Sequence, residues 1–206
     1  MIPLSYGLLG LLARQPLSGY DLAQYMKKRV APMWSALPSQ IYPELAKLEA
    51  QGMVTHHVVE QHDYRPDKKV YEITKAGREA LRHWVTEPTP VTTLRDEFVL
   101  KAYSLWLADP HEALTRFREH EQAHSQQLAD YEALLARLRR EWGSALDQMN
   151  SPLFGSSIAI HYGIGYERHY VHWCRQVIEQ LEQQLHGEQA AREEEPSSRP
   201  SSEQSS

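Results

Sequence analysis

Apolar residues recur along this chain with two different periods, and the switches between them mark its architecture. From Leu4 to Arg14 they lie on nearly every side, as in a short helix buried within a small core, and Pro16 ends the run. Ser18 stands where an N-cap belongs. Residues 19–29 then read as a second helix, with Asp21 in the first turn and Lys27, Lys28 and Arg29 in the last, as the helix dipole favours. Pro38, Ser39 and Gln40 open a third helix whose Ile41, Leu45 and Leu48 share one face. Pro43 is expected within its first turn or so, where a missing N–H costs little, and Gly52 ends it as a left-handed residue.

The period then falls from 3.6 to 2. Residues 53–59 and 70–74 are rich in β-branched and aromatic side chains, and the polar segment 62–69 between them forms turns. That is a hairpin with a basic tip. Thr74 caps a fourth helix over residues 75–85, before Pro88 and Pro90 break the chain. Three helices, a hairpin and a helix, in that order, make a winged helix-turn-helix, in which the third helix enters the DNA major groove and the hairpin lies along the backbone or minor groove.

Beyond Pro90 everything reads helical. Residues 96–107 form one segment and Pro110 starts another. From Leu114 a 3-4 repeat runs through Phe117, Glu121, His124, Leu128, Tyr131, Leu135, Leu138, Trp142, Ala145 and Met149, which is a heptad seam. Residues 150–157, with Pro152 and Gly155, should break it before a final aromatic helix. After Gly187 the composition is that of a disordered tail. The fold class is therefore mainly α: a winged-helix DNA-binding domain over 1–87 carrying a two-stranded wing, a helical coiled-coil dimerisation arm over 93–186, and a tail over 187–206.

The net charge of −5 changes meaning once divided. Residues 1–87 hold eleven Lys and Arg against nine acids, and the rest hold eleven against eighteen. The net excess of positive charge, eleven less nine or +2, thus falls in the winged helix, where phosphate would be met. The short apolar start lacks a basic lead and a cleavage site, so no secretory signal is expected there, and no stretch approaches a membrane span. With a single cysteine, Cys174, a reducing cytoplasm is expected.

Three stretches carry a family resemblance: Leu17-Ser18-Gly19-Tyr20-Asp21-Leu22, then Ser39-Gln40-Ile41-Tyr42-Pro43-Glu44-Leu45-Ala46-Lys47-Leu48-Glu49 leading to Gly52, then Val70-Tyr71-Glu72-Ile73-Thr74-Lys75-Ala76-Gly77. At this order and spacing the chain resembles the PadR family of winged-helix regulators, in the branch whose long helical arm is similar to that of the virulence activator AphA. The resemblance implies a homodimer on a pseudo-palindromic DNA operator, usually a repressor, and members related to the founder often respond to phenolic acids. It implies neither catalysis nor a cofactor.

Reading DNA requires side chains at base edges for specificity and donors to phosphate for affinity. Ser39, Gln40, Tyr42 and Lys47 are the polar residues interleaved with the apolar face of the third helix. An amide suits adenine, which makes Gln40 the choice for a base contact, while Ser39 and Tyr42 suit the backbone. Arg65, Lys68 and Lys69 on the hairpin are phosphate candidates.

Residues 120–124 fit His-Glu-x-x-His, the pattern of a zinc-dependent hydrolase. Its usual extension is missing, since Gln127 and Asp130 stand at the Gly and His positions, and Glu141 on the same helix is too far along to close on one metal. An enzyme and a pure coiled-coil interaction module are the competing readings, and no metal site is expected. The seam offers a different role, in which Glu121 and His124 pair within the arm or across the dimer and fix register. Leu128, Tyr131, Leu135, Leu138 and Trp142 are the expected dimer contacts. Tyr162, Tyr166, His169, Tyr170 and Trp173 would line a pocket for a small aromatic effector, although aromatics at helical spacing more often form core. Cys174 reads as a buried small residue.

Overall fold

The computed structural model describes residues 1–27, 36–60, 68–91, 93 and 95–194, in two compact units, 1–93 and 94–206. Arg65 lies outside the described residues.

In the first unit α1 (Pro3–Leu12) precedes a two-residue strand β1 (Leu17–Ser18), and α2 (Gly19–Tyr25) follows at once. Ser18 caps α2 as its sequence position suggests, accepting from the Asp21 N–H at 3.1 Å. Helix α3 (Pro38–Ala50) ends at Gly52, whose φ of +70° is the left-handed conformation expected there. Strands β2 (Val54–Val59) and β3 (Lys68–Ile73) form the hairpin, and α4 (Lys75–Trp84) starts on Thr74, whose hydroxyl accepts from the Gly77 N–H.

Two features differ from the sequence reading. The sheet has three strands in the order β1-β3-β2, because Leu17 pairs with Tyr71 and Ser18 with Val70; two residues are too few to show a period. Pro43 is the sixth residue of α3, past the first turn, so the Ser39 carbonyl has no main-chain N–H four residues on to accept from. The core of this unit joins Leu8, Leu9 and Leu12 of α1 to Leu22 of α2 and to Ile41, Leu45 and Leu48 of α3, all buried. Tyr6 stacks on Trp84 at 4.5 Å and fixes α4 against α1.

In the second unit α5 (Glu97–Ala102) is capped by Asp96 and followed by a 3-10 turn at Leu105–Leu107, where one continuous segment was expected. Helix α6 (Pro110–Trp142) is capped by Asp109 and stops at Gly143, with φ +50°, seven residues before the expected break. Pro152 is the first residue of α7 (Pro152–Glu194), a position where proline is favoured, so Gly155 lies inside the helix rather than breaking it. Helix α7 also runs through Gly187 to Glu194, into the stretch read as tail. Glu, Gln, Ala and Arg there are all good helix formers.

The heptad seam is answered within the chain. Helices α6 and α7 run side by side in opposite directions, as the ion pairs Arg118–Glu182, Glu121–Arg175 and Glu132–Arg168 require. Phe117 is buried between them, and the Tyr131 ring lies so close to Gly163 that a Cβ there would come within 3.1 Å of it. Leu128, Leu135 and Leu138 are half-buried in this hairpin and Trp142 is half exposed. The face expected to join two chains is largely spent inside one. Glu121 and His124 pair within the arm, with Arg175 at 2.7 Å and Glu167 at 2.5 Å.

Candidate nucleic-acid interface

Helix α3 presents one apolar and one polar side. Ile41, Leu45 and Leu48 are fully buried, while Ser39, Gln40, Tyr42 and Lys47 are all exposed. Leu37 precedes the helix and has no side chain able to cap it. Gln40 does so instead, its Oε1 accepting the Leu37 N–H at 2.9 Å. The amide expected to read a base therefore already holds the helix start through its oxygen.

Tyr42 has a defined seat. Its ring lies over Gly19, the first residue of α2, where any Cβ would stand 2.5 Å from Cε1. The helix start at α2 and the polar side of α3 are thereby fitted to each other, a contact that sequence spacing cannot show. Beside them Asp21 Oδ2 accepts from the Ser18 hydroxyl at 2.6 Å and meets the Lys68 ammonium at 2.9 Å. The Ser18 bond, then Lys68, holds the Asp21 carboxyl below its ordinary range. Lys68 is thus partly neutralised by an internal partner, whereas Lys69 next to it is exposed.

The hairpin is tied to the far end of α3 by His56, which meets the Glu49 carboxylate and packs against the Tyr71 ring. His57 faces Glu72 across the strands at 3.4 Å. Ser39, Gln40, Tyr42 and Lys47 consequently share one face of a helix anchored at both ends, with β3 and its lysines alongside. This suits a helix laid in a groove with donors to the flanking phosphates.

The second candidate set divides. Tyr166, Tyr170 and Trp173 join Phe98, Phe117, His120 and His124 in a packed ring cluster, whereas Tyr162 and His169 are exposed and lie outside it. His120 stacks face to face on Phe98 and His124 on Tyr170, with centroids 3.5 and 3.7 Å apart. The two imidazoles of the His-Glu-x-x-His segment are therefore taken up by rings and by Glu167. Burial, then the neighbouring His124, pushes the His120 pKa down, and burial pushes the Tyr170 phenol far above its usual range.

Cys174 beneath the cluster is fully buried, and burial, then Glu121 and Asp96, pushes its thiol up to about 11. It is expected to react with a disulfide reagent at pH 8 only as fast as the arm opens. A colour-release time course in buffer and in urea checks this, and prompt reaction in buffer would contradict the burial.

The PadR-like family of transcriptional regulators matches residues 8–83, and the virulence activator alpha C-terminal family matches 94–182. The negative transcriptional regulator PadR of Bacillus subtilis is 34% identical over 184 residues, 87% of this chain and 97% of that protein. This chain belongs to the PadR family of transcriptional regulators. Two crystal structures of B. subtilis PadR, each 32% identical, superpose well. That in complex with operator DNA has a TM-score of 0.76 over 86% of this chain and 98% of that one. That in complex with p-coumaric acid scores 0.70 over 87% and 98%. Vibrio cholerae AphA, at 24% identity, shares the fold with a TM-score of 0.67 over 88% and 99%. As a PadR-family regulator, the chain carries the winged helix and the helical arm in one polypeptide. Among its described residues no helix is long and apolar enough to cross a membrane.

Proposed function

We propose that this chain is a homodimeric repressor that lays α3 in the major groove of a pseudo-palindromic operator, sets its β2–β3 hairpin on the backbone, and is released by a small aromatic ligand. It acts by binding and performs no catalytic step. The observation that carries the reading is the exposed polar side of α3, with Tyr42 seated on Gly19, in a chain that matches a repressor known with operator DNA over nearly its whole length. Residues 1–87 would bind DNA and 93–186 would dimerise. The aromatic ligand is supported by the p-coumaric acid complex of the relative and by the ring cluster around Tyr166, Tyr170 and Trp173. Opening that cluster, with its phenols and imidazoles, would expose partners suited to a phenolic guest.

In this reading Gln40 supplies a base contact, Ser39 and Tyr42 meet the backbone, and Lys47, Lys68 and Lys69 meet phosphates, as would Arg65. Gln40→Ala is expected to weaken operator binding more than random-DNA binding. Lys69→Ala should weaken both and lower the dependence of log K on log salt by about one unit. Fluorescence anisotropy titrations on both duplexes at several salt concentrations separate the two. Equal losses for Gln40→Ala would remove it from base reading.

The dimer needs an apolar face that is not spent on the α6–α7 hairpin. Leu100, Tyr103, Trp106 and Leu107, on α5 and the turn after it, are 70–86% exposed. Together they offer several hundred Å², on the order of the ~800 Å² per partner of a standard interface. A second copy of the chain is the occupant proposed for this ledge. The double substitution Leu100→Ser and Trp106→Ser should leave a folded monomer in light scattering after size exclusion, and a persistent dimer would move the interface elsewhere.

A further inference from the structure

Glu44 belongs to the apolar face of α3, between the fully buried Ile41 and Leu45, and is itself 6% exposed. A leucine would be the ordinary choice there. A buried carboxylate costs stability relative to a packed apolar side chain unless something holds it. Here Glu44 Oε1 accepts from the hydroxyl of Ser5, which is completely buried on α1, at 2.5 Å. The Ser5 hydroxyl in turn accepts from the Ile2 N–H at 3.2 Å. Oε2 meets the ammonium of Lys47 at 3.4 Å, and that side chain is 66% exposed. Helix α1 has no acid in its own first turn, so the carboxylate from α3 stands in for one. A polar line thus runs from the start of α1, through the core, to a lysine on the outer side of α3.

We infer that Glu44 is a positioning residue for DNA reading: its bond to Ser5 sets the rotation of α3 about its own axis, and its second oxygen holds Lys47 in step with Gln40 and Tyr42. Apolar contacts are non-directional, and Ile41, Leu45 and Leu48 would tolerate a small roll of the helix. The hydrogen bond does not, since it fails within a few tenths of an ångström and beyond a limited angle. With side-chain tips about 5–6 Å from the axis, a 10° roll moves them by about 1 Å. That is enough to spoil a contact to a base edge while leaving the less directional attraction to phosphate. The residue therefore sets preference between DNA sequences more than overall grip.

The inference rests on the reading of α3 as the groove-bound helix. The test uses the full chain, a duplex selected by the unaltered protein from a random-sequence pool, and an unselected duplex of equal length. Glu44→Leu is expected to keep or raise the melting temperature, while the ratio of the two affinities falls about tenfold. Glu44→Gln, which still accepts from Ser5, should restore most of that ratio. A purely structural role would move the melting temperature and both affinities together and leave the ratio alone. An unchanged ratio in Glu44→Leu overturns the inference. Should that variant fail to fold, Ser5→Ala decides, with a reduced ratio in support and an unchanged one against. If the unaltered protein enriches no duplex at all, the reading of α3 itself fails, which is a separate result.

Discussion

Gly77→Ala is expected to cost about 3 kcal/mol or more and to lower the melting temperature of the winged-helix unit by roughly 10 °C or more. A Cβ at residue 77 would stand 2.2 Å from the Met53 carbonyl oxygen and 2.9 Å from Ile73 Cγ1. The first of these is main chain, so no side-chain rotation relieves it. The same carbonyl accepts both the Thr74 N–H at 3.0 Å and the Thr74 hydroxyl at 3.1 Å, and that hydroxyl also reaches the Gly52 carbonyl at 2.7 Å. Pushing Met53 away loosens the cap of α4 and the joint between α3 and β2 in one move. Thermal unfolding followed by circular dichroism measures the loss. A shift of only a degree or two would mean that α4 has room to back away from residue 53.

Gly19→Ala has the opposite profile. The obstructing atom is the edge of the Tyr42 ring, which is half exposed and able to swing away, and alanine at the first position of α2 suits a helix at least as well as glycine. Stability should change by less than about 1 kcal/mol, while affinity for operator and random DNA alike falls about tenfold, the loss of one hydrogen bond to a charged group. Tyr42→Phe should reproduce that loss without moving the ring. Anisotropy titrations of the two variants beside the parent make the comparison. Full affinity in Gly19→Ala would show that Tyr42 does not touch DNA.

What the sequence made legible was local. The capping bonds of Ser18 with Asp21, of Thr74 with Gly77 (unlike its further bonds to residues 52 and 53) and of Gly52 with Glu49 each span three residues, so each is recognisable as a cap or a stop from its immediate neighbours. The change of period at residue 53 located the hairpin for the same reason. Strand β1 escaped because Leu17 and Ser18 show their role only against Val70 and Tyr71, more than fifty residues on. The heptad run told which face of α6 is apolar, but a period carries no information about whose helix fills it, and α7 of the same chain does. The stop at Gly143 is hidden in the sequence because the repeat continues through Ala145 and Met149, although the backbone has already turned.

The site divides along the same line. That Ser39, Gln40, Tyr42 and Lys47 share the outer side of α3 follows from 3.6-residue spacing. Their seating on Gly19, the capping duty of Gln40 and the capture of Lys68 by Asp21 depend on tertiary packing. One tertiary contact does leave a mark in the sequence: an acid at position 44, on a stripe otherwise made of Ile41, Leu45 and Leu48, is out of place unless it has a buried partner.

Helix α7 has 43 residues, and at 1.5 Å each it is roughly 64 Å from end to end. Side-chain pairs from α6 clamp it at Glu167, Arg168, Arg175 and Glu182. A rod that long turns small angles into displacements: a tilt of 5° about Tyr170 in the ring cluster, 24 residues or roughly 36 Å from Glu194, would carry that end through about 3 Å.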